Sequence, residues 1–292
     1  MSVSSSEPSG LAFKAYEIEE LADVYFFRRC GIVVAHAARW CRFSPNTVSV
    51  LAGIIGGLGG AMLASDRLAL AGVACLFLYG IFDSADGQLA RMTGQTSEVG
   101  RLLDGLAGYV AHTAAYLGIV VGVVGQGGSW SILGWASAAG VFTALHAQMY
   151  DYHRTAYAAI VVKGVSSGTP AVIGRRSPPV IAAYEALQRR LAGQHPEVEA
   201  LVAARSDAGR VRVEDRARYR ACFYRPVRGW NLLGDNVRRY AFAVLALVHH
   251  LDWMFPFILL PLNLVLVGIW LWQRQADRRF LGATASPPLT AR

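Results

Sequence analysis

Charged residues are scarce in this sequence. They account for 16% of its 292 residues, whereas hydrophobic residues account for 54%, and the mean hydropathy is +0.34. In soluble globular proteins about a quarter of the residues are charged. This shortage argues against an ordinary soluble domain, and an integral membrane protein is the first expectation.

Three further absences narrow the class of protein. The four cysteines have no CxxC or other metal-like spacing, so we expect them to be small buried or interfacial residues. The first fifteen residues lack the apolar core of a cleavable signal peptide, and the amino terminus is therefore expected in the cytoplasm. The net charge is +8, but no nucleic-acid-binding motif accompanies it. Anionic head groups explain the basic residues, so we expect membrane lipids and no nucleic acid as partners.

Long apolar segments are what the sequence has instead. A helix needs about 20 apolar residues to cross a hydrocarbon core of about 30 Å. Six candidate spans meet or approach this length: residues 47–64, 68–85, 102–124, 130–149, 237–253 and 255–272. The fifth is the weakest, because its apolar run is short and is followed by His249, His250 and Asp252. The predicted fold is an all-α polytopic membrane protein with six transmembrane helices.

The spans divide the chain into four predicted segments. These are residues 1–43, 44–163, 164–229 and 230–292. The first is a cytoplasmic amino terminus with an interfacial amphipathic helix, since arginines interrupt its apolar stretch at 23–43. The second holds spans one to four, and the last holds spans five and six with a cytoplasmic tail. The third is a helical cytoplasmic insert with amphipathic patterns at 179–193 and 211–224.

The arginines predict the orientation of the spans. Most of them precede the first span, separate the second from the third, or follow the fourth and the sixth. The connections on the opposite side carry one arginine among them. Because cytoplasmic loops are enriched in Lys and Arg, we expect both termini and residues 83–104 to face the cytoplasm, in a protein of the cytoplasmic membrane.

Three aspartates lie at the cytoplasmic ends of two neighbouring spans. Asp83 and Asp86 share one face of a helix, and Asp104 opens the next span after a short connection. Three partly shielded carboxylates repel one another, and divalent cations would relieve that repulsion. Oxygen ligands without cysteine or histidine indicate Mg²⁺ or Mn²⁺. The alternative is that the aspartates are solvated or pair with arginines, but ionisable residues at membrane depth are costly and usually functional.

The residues beside the aspartates suit a diphosphate. Gly87 and Ala90 continue the aspartate face with small side chains, which leaves room against the backbone. Arg91 adds a cation that would share the charge of a diphosphate with a metal ion. Gly100 lies one turn before the aspartate of the next helix, so a small residue stands there as well.

The complete pattern resembles the signature of the CDP-alcohol phosphotransferases, integral membrane enzymes of phospholipid synthesis. That signature reads D-x2-D-G-x2-A-R, then eight residues, then G-x3-D-x3-D. Its matching positions here are Asp83, Asp86, Gly87, Ala90, Arg91, Gly100 and Asp104. The resemblance covers residues 83 to about 112 and is supported by the segment SPNTVS at 44–49.

The resemblance implies a six-helix bundle whose cytoplasmic cavity holds two metal ions, Mg²⁺ or Mn²⁺, and a CDP-linked substrate. It implies that Asp83, Asp86 and Asp104 are metal ligands. The implied nucleotide and diphosphate contacts are Gly87, Ala90, Arg91 and Gly100. The implied reaction moves a phosphatidyl or other substituted phosphoryl group from a CDP-activated donor to an alcohol acceptor and releases CMP. A homodimer is the usual assembly among such enzymes.

One signature position departs from the family. The last aspartate, which in the family binds metal and acts as the base, is Gly108 here. His112, one turn further on, could act as general base, although a histidine hydrogen-bonded within the bundle is the competing interpretation. Alternatively a metal ion alone activates the hydroxyl, or the protein binds its ligand without catalysis. If activity exists, Gly108→Asp is expected to raise it.

Three arginines near other span ends are candidates for acceptor binding. They are Arg154, Arg238 and Arg239. Each has a simpler interpretation as a charged residue anchored at the inner interface. His249 and His250 point about 100° apart on a helix, so we do not expect them to hold one ion with Asp252.

The working hypothesis is a metal-dependent membrane transferase of phospholipid biosynthesis. CDP-diacylglycerol is the preferred donor, because a cavity open to both lipid and cytoplasm suits it. A regulatory or scaffolding relative that binds nucleotide or lipid without catalysis is the alternative. A transporter is disfavoured, because the sequence has no paired broken helices in two related halves.

Overall fold

The computed structural model describes residues 16–166 and 190–285. It is 84% helical and contains no β-strand within those ranges, so the predicted all-α class is confirmed. Helices are the expected outcome, because an apolar segment in lipid must satisfy its backbone hydrogen bonds internally. The chain divides into two units, Met1–Gly140 with Arg238–Pro256, and Val141–Val237 with Phe257–Arg292.

The α-helices are numbered here in chain order. They are α1 (Arg28–Trp40), α2 (Pro45–Met62), α3 (Ala69–Thr93), α4 (Glu98–Gly125), α5 (Ile132–Tyr157), α6 (His195–Ala204), α7 (Val213–Trp230), α8 (Asp235–Leu247), α9 (Met254–Phe257) and α10 (Asn263–Ala285). π-Helical turns at Asp23–Phe27, Ala158–Lys163 and Ile258–Leu262 adjoin α1, α5 and α10. The stretch predicted as an interfacial helix is thus helical from Asp23 to Trp40, and α1 packs against α3.

Local sequence determines where the helices around the site begin and end. Ser44 caps α2 by accepting a hydrogen bond from the backbone N–H of Thr47 at 3.1 Å. Ser97 caps α4 in the same way, with the N–H of Gly100 at 2.9 Å. α3 ends at Gly94, whose φ of 69° is a left-handed conformation that favours glycine. These signals confine the α3–α4 connection to a few residues.

Within the described ranges, four stretches are long and apolar enough to cross a membrane: α2, α3, α4 and Leu251–Ala283, which contains α9 and most of α10. Among the described helices, α5 and α8 do not meet that standard, so the predicted count of six is not confirmed. The 13 residues of α8 measure about 20 Å, less than a hydrocarbon core of about 30 Å. The predicted fifth span at 237–253 is not one helix, because α8 ends at Leu247 and His249 has a φ of 59°.

Glycines allow α2 to approach both of its neighbours in the first unit, α3 and α4. A Cβ atom added at Gly56 would lie 2.6 Å from the Cβ atom of Ala111 on α4. One added at Gly59 would lie 2.8 Å from the carbonyl oxygen of Gly72 on α3. Small residues at helix crossings are a common basis of association in lipid. This packing holds the end of α3 and the start of α4 beside α2.

We expect Gly56→Ala to destabilise the protein by about 1–3 kcal/mol, because the added methyl group forces α2 and α4 apart. Thermal unfolding of the purified protein in detergent micelles measures this as a lower Tm. Gly105→Ala on the exposed face of α4 is the control, since no atom lies within 4 Å of a Cβ added there. Helix propensity makes that change neutral or stabilising. Equal Tm values for the two variants would contradict the tight crossing.

A buried hydrogen-bond network joins three helices of the second unit. The imidazole of His195 on α6 lies 2.8 Å from Asp277 on α10 and 2.9 Å from the hydroxyl of Tyr219 on α7. All three residues are 0% exposed. Burial raises the pKa of the Tyr219 hydroxyl well above its usual value, so this group stays protonated and can donate to His195. A buried polar group is costly when it has no hydrogen-bond partner. The network therefore favours the arrangement of the three helices in which all of these hydrogen bonds form.

The predicted cytoplasmic insert, residues 164–229, is described in part. Its amphipathic pattern at 211–224 falls mostly within α7 and is helical. Most of the pattern at 179–193 lies outside the described residues.

Candidate functional site

A cavity of about 540 Å³ lies where the ends of α2, α3 and α4 meet in the first unit. Its walls are the start of α2, the end of α3, the α3–α4 connection and the first turns of α4. The lining includes Asn46, Ser49, Asp86, Gly87, Ala90, Arg91, Gly100 and Asp104. Six of the residues singled out in the sequence therefore share one cavity.

The aspartates of the two helices come together beside this cavity. The carboxyl groups of Asp83 on α3 and Asp104 on α4 lie within hydrogen-bonding range of each other. Asp86, which is 6% exposed, also experiences the charge of Asp104. Two carboxylates at such range repel each other unless a proton or a cation lies between them.

The orientation of Asp86 is fixed by groups on two helices. Ser49 on α2 donates its hydroxyl to the Oδ2 atom of Asp86 at 2.5 Å, in a buried setting. The backbone N–H of Gly87 also donates to this carboxylate, and the charge of Arg91 acts on it from one turn further along α3. Hydrogen bonds to an ionised group are stronger than neutral ones, so these contacts hold the carboxylate firmly.

Asp83 has a tyrosine and an arginine as neighbours. Tyr79, one turn earlier on α3, donates its hydroxyl to the Oδ1 atom of Asp83 at 3.5 Å. Arg239 on α8 stacks over two rings, with its guanidinium carbon 5.0 Å from the centre of Phe27 and 5.7 Å from that of Tyr79. The charge of Arg239 also acts on Asp83. Of the arginines considered for acceptor binding, Arg239 thus lies beside the carboxylates.

The other two acceptor candidates have different surroundings. Arg238 is 1% exposed, so its guanidinium is enclosed by the protein. Arg154 belongs to the second unit and stacks over Tyr150, with its guanidinium carbon 4.6 Å from the ring centre. That contact agrees with a charged residue beside a tyrosine anchor.

The departing position, Gly108, faces Tyr79. A Cβ atom added at Gly108 would lie 3.3 Å from the Tyr79 hydroxyl oxygen. The Nδ1 atom of His112 lies 2.9 Å from the carbonyl oxygen of Gly108. Because a carbonyl oxygen only accepts, Nδ1 carries the proton in this contact, and Nε2 of the neutral ring has the lone pair. His112 is therefore hydrogen-bonded within its own helix.

Two residues of the site were missed by the sequence reasoning. In the sequence, Ser49 is a single small polar residue in an apolar span, and Tyr79 is one of many aromatic residues, so neither stands out. A signal did exist for Ser49, because it lies one turn after Asn46 and so shares a helix face with it. Both residues line the cavity. For Tyr79 the position four residues before Asp83 was the available signal.

Comparison with known proteins agrees with this geometry. Residues 42–173 match the family model described as CDP-alcohol phosphatidyltransferase. Residues 42–173 are a CDP-alcohol phosphatidyltransferase domain. The domain contains α2 to α5 and every residue that lines the cavity. No curated protein and no solved structure matches the chain.

The domain indicates a general chemistry. CDP-alcohol phosphatidyltransferases transfer a phosphatidyl group from a CDP-linked donor to an alcohol in phospholipid synthesis, and they generally use divalent metal ions. Together with the long apolar helices, the domain identifies an integral membrane protein.

The donor set of the CDP-alcohol phosphatidyltransferase domain fits a hard divalent cation. The candidate ligands are carboxylate oxygens, which Mg²⁺ and Mn²⁺ accept, and Asp83 and Asp104 lie close enough to share one ion. In the described parts of the chain, no three His, Cys, Asp or Glu side chains are grouped closely enough to hold a metal ion. This applies to Asp83, Asp86 and Asp104 as well as to His249, His250 and Asp252. Mg²⁺ is often bound through one or two carboxylates plus substrate phosphates, so the carboxylate pair is sufficient for a fit.

Proposed function

We propose that this protein transfers a phosphatidyl group from CDP-diacylglycerol to an alcohol acceptor and releases CMP. The observation that supports the proposal is the meeting of Asp83 and Asp104 beside a cavity lined by Asp86 and Arg91. A volume of about 540 Å³ lies within the usual range of small-molecule sites, about 300–1,000 Å³. The cavity thus combines carboxylates, a cation and room for a diphosphate.

In the proposed reaction, the hydroxyl oxygen of the acceptor attacks the phosphorus atom that carries the diacylglycerol. A new P–O bond forms, the P–O bond to CMP breaks, and CMP leaves with the electron pair of that bond. The proposed acceptor of the hydroxyl proton is the Nε2 atom of His112. The Nδ1 atom already donates a hydrogen bond to the Gly108 carbonyl oxygen, which leaves the lone pair on Nε2. The donor contributes the phosphatidyl group, and the acceptor oxygen is retained in the product.

The proposed roles of the other residues follow from their chemistry. Arg91 and the small residues Gly87, Ala90 and Gly100 contact the nucleotide and diphosphate, since they line the cavity and leave the backbone accessible. The proposed ligands of two divalent ions are Asp83, Asp86 and Asp104. Mg²⁺ or Mn²⁺, when bound there, stabilises the charge that develops on the phosphoryl oxygens.

The proposed reaction takes place at the cytoplasmic face of the cell membrane. The active site and both termini face the cytoplasm, as the arginine distribution predicts. Arg239 is the favoured contact for the acceptor, because its charge already acts on Asp83. The carboxylates and the acceptor would then meet at the inner surface of the cytoplasmic membrane.

CMP release tests the proposed function. Purified protein is incubated with CDP-diacylglycerol, Mg²⁺ or Mn²⁺ and a panel of alcohols, and CMP and the new phospholipid are measured together. We expect equal amounts of both products with at least one alcohol, and loss of both when EDTA removes the divalent ion, because the diphosphate charge is then uncompensated.

Two other outcomes would contradict the proposal, and each identifies a different function. Nucleotide binding that Asp86→Asn weakens, without CMP release from any acceptor, indicates a relative that binds but does not catalyse. Movement of lipid or nucleotide across vesicles without CMP release indicates a transporter.

A further inference from the structure

Tyr79 occupies a space made by small residues on two other helices. Its ring belongs to a buried cluster with Ala52, Ala107 and Ala111, and the residue is 5% exposed. A Cβ atom added at Gly56 would lie 3.2 Å from the Cγ atom of the ring. The ring therefore fits between α2 and α4 because both helices have small side chains at this level.

The hydroxyl end of the same ring points at the signature position that lost its carboxylate. A side chain at position 108 would start 3.3 Å from the Tyr79 hydroxyl oxygen, a distance at which one of the two groups must shift. Tyr79 and a side chain at position 108 thus compete for one space. A side chain at position 108 requires the Tyr79 hydroxyl to give way by a few tenths of an ångström, whereas glycine does not.

The contacts of that hydroxyl connect it to the carboxylate pair. It donates to the Oδ1 atom of Asp83 at 3.5 Å, and Asp83 in turn lies within hydrogen-bonding range of Asp104. Arg239 covers the ring, with its guanidinium carbon 5.7 Å from the ring centre. The ring is thus held by cation–π and apolar contacts, and its one polar atom lies against Asp83.

We infer that Tyr79 is a positioning residue that takes the place of the missing fourth carboxylate and holds Asp83 towards Asp104, so that this pair binds a divalent cation. The inference rests on the proposed function, since it requires the pair to bind that ion. A neutral hydroxyl in place of a carboxylate leaves the site with one negative charge fewer. Groups that orient metal ligands change metal affinity or activity by about 10–100-fold when they are removed.

The first test is the affinity of the purified full-length protein for Mn²⁺, measured by electron paramagnetic resonance in detergent micelles. We expect Tyr79→Phe to weaken Mn²⁺ binding by about tenfold, because the phenyl ring retains the packing but not the hydrogen bond. Tyr109→Phe is the matched control, because Tyr109 follows Gly108 on α4 but is 70% exposed. A purely structural role would lower the Tm of Tyr79→Phe and leave its Mn²⁺ affinity unchanged.

The second test measures the competition for space. Gly108→Asp alone is expected to lower the Tm, because its side chain starts against the Tyr79 hydroxyl. In the Tyr79→Phe background the same substitution should restore the Tm and strengthen Mn²⁺ binding beyond that of Tyr79→Phe alone. In that case Gly108→Asp would raise activity, as the sequence predicts, only in a protein that lacks the Tyr79 hydroxyl.

Mn²⁺ binding separates this inference from the proposed function. Mn²⁺ affinity of Tyr79→Phe within twofold of the wild type would overturn it, as would an effect of Gly108→Asp that is equal in both backgrounds. Absence of Mn²⁺ binding in the wild type would overturn it as well. Intact Mn²⁺ binding that depends on Tyr79, without CMP release from any alcohol, would overturn the proposed function and leave the inference standing.

Discussion

Asp104→Asn should reduce the rate of CMP release by about 10²–10³-fold, because a bound divalent cation contributes several kcal/mol of charge stabilisation in such reactions. The same substitution should raise the Tm measured in EDTA. When both are ionised and no cation is bound, Asp83 and Asp104 repel each other within hydrogen-bonding range, whereas an asparagine amide would donate a hydrogen bond to Asp83. Opposite effects on rate and on stability are the signature of a carboxylate kept for cation binding.

The control for this experiment is Asp66→Asn. Asp66 is exposed in the connection between α2 and α3 and accepts a hydrogen bond from Gln126 at 3.0 Å. Both the rate and the Tm of this variant should stay close to those of the wild type. If Asp104→Asn lowered the Tm as well as the rate, the result would argue for a structural role of Asp104 and against the cation site.

His195→Ala should lower the Tm by on the order of 10 °C. The substitution leaves the carboxyl group of Asp277 enclosed at 0% exposure without its imidazole partner at 2.8 Å. Removing one member of a buried polar pair costs about 3–5 kcal/mol, and each kcal/mol shifts the Tm of a chain of this size by roughly 2–4 °C. Thermal unfolding in detergent measures the shift.

An exposed pair of the same chemistry provides the comparison. His250 and Asp252 lie 3.8 Å apart, with side chains 64% and 45% exposed. Exposed ion pairs contribute about 0–1 kcal/mol, so His250→Ala should change the Tm by no more than a few degrees. Similar Tm losses in the two histidine variants would show that burial does not determine how much the His195 network contributes to stability.

The sequence was most informative where function restricts both residue type and spacing. The separations between Asp83, Asp86 and Asp104 predicted that carboxylates of two neighbouring helices meet, and the structure brings Asp83 and Asp104 together, while the three are not grouped as a site for one ion. Helical periodicity and a short connection suffice for that prediction, because both are properties of the local chain. The all-α class followed from the apolar segments in the same manner.

Tertiary contacts were beyond the reach of these patterns. Ser49 contacts Asp86 across the interface of α2 and α3, which no sequence period predicts, and the spacing of Tyr79 from Asp83 does not by itself predict the direction of the ring. The same holds for the network of His195 and Asp277, which are 82 residues apart in the chain. The bounds of the fifth span differ from the prediction for another reason, since hydropathy averaged over a window does not register the turn after α8, where His249 has a left-handed backbone conformation.

α3 runs without interruption from Ala69 to Thr93, so one helix joins a long apolar stretch to the cavity lined by Asp86 and Arg91. A change in the tilt of α3 would move Asp86 and Arg91 together, because both belong to this helix. Helices of fixed apolar length tilt as the surrounding lipid layer becomes thinner or thicker. For a helix that crosses the membrane, the thickness of the host bilayer is thereby linked to the geometry of this cavity.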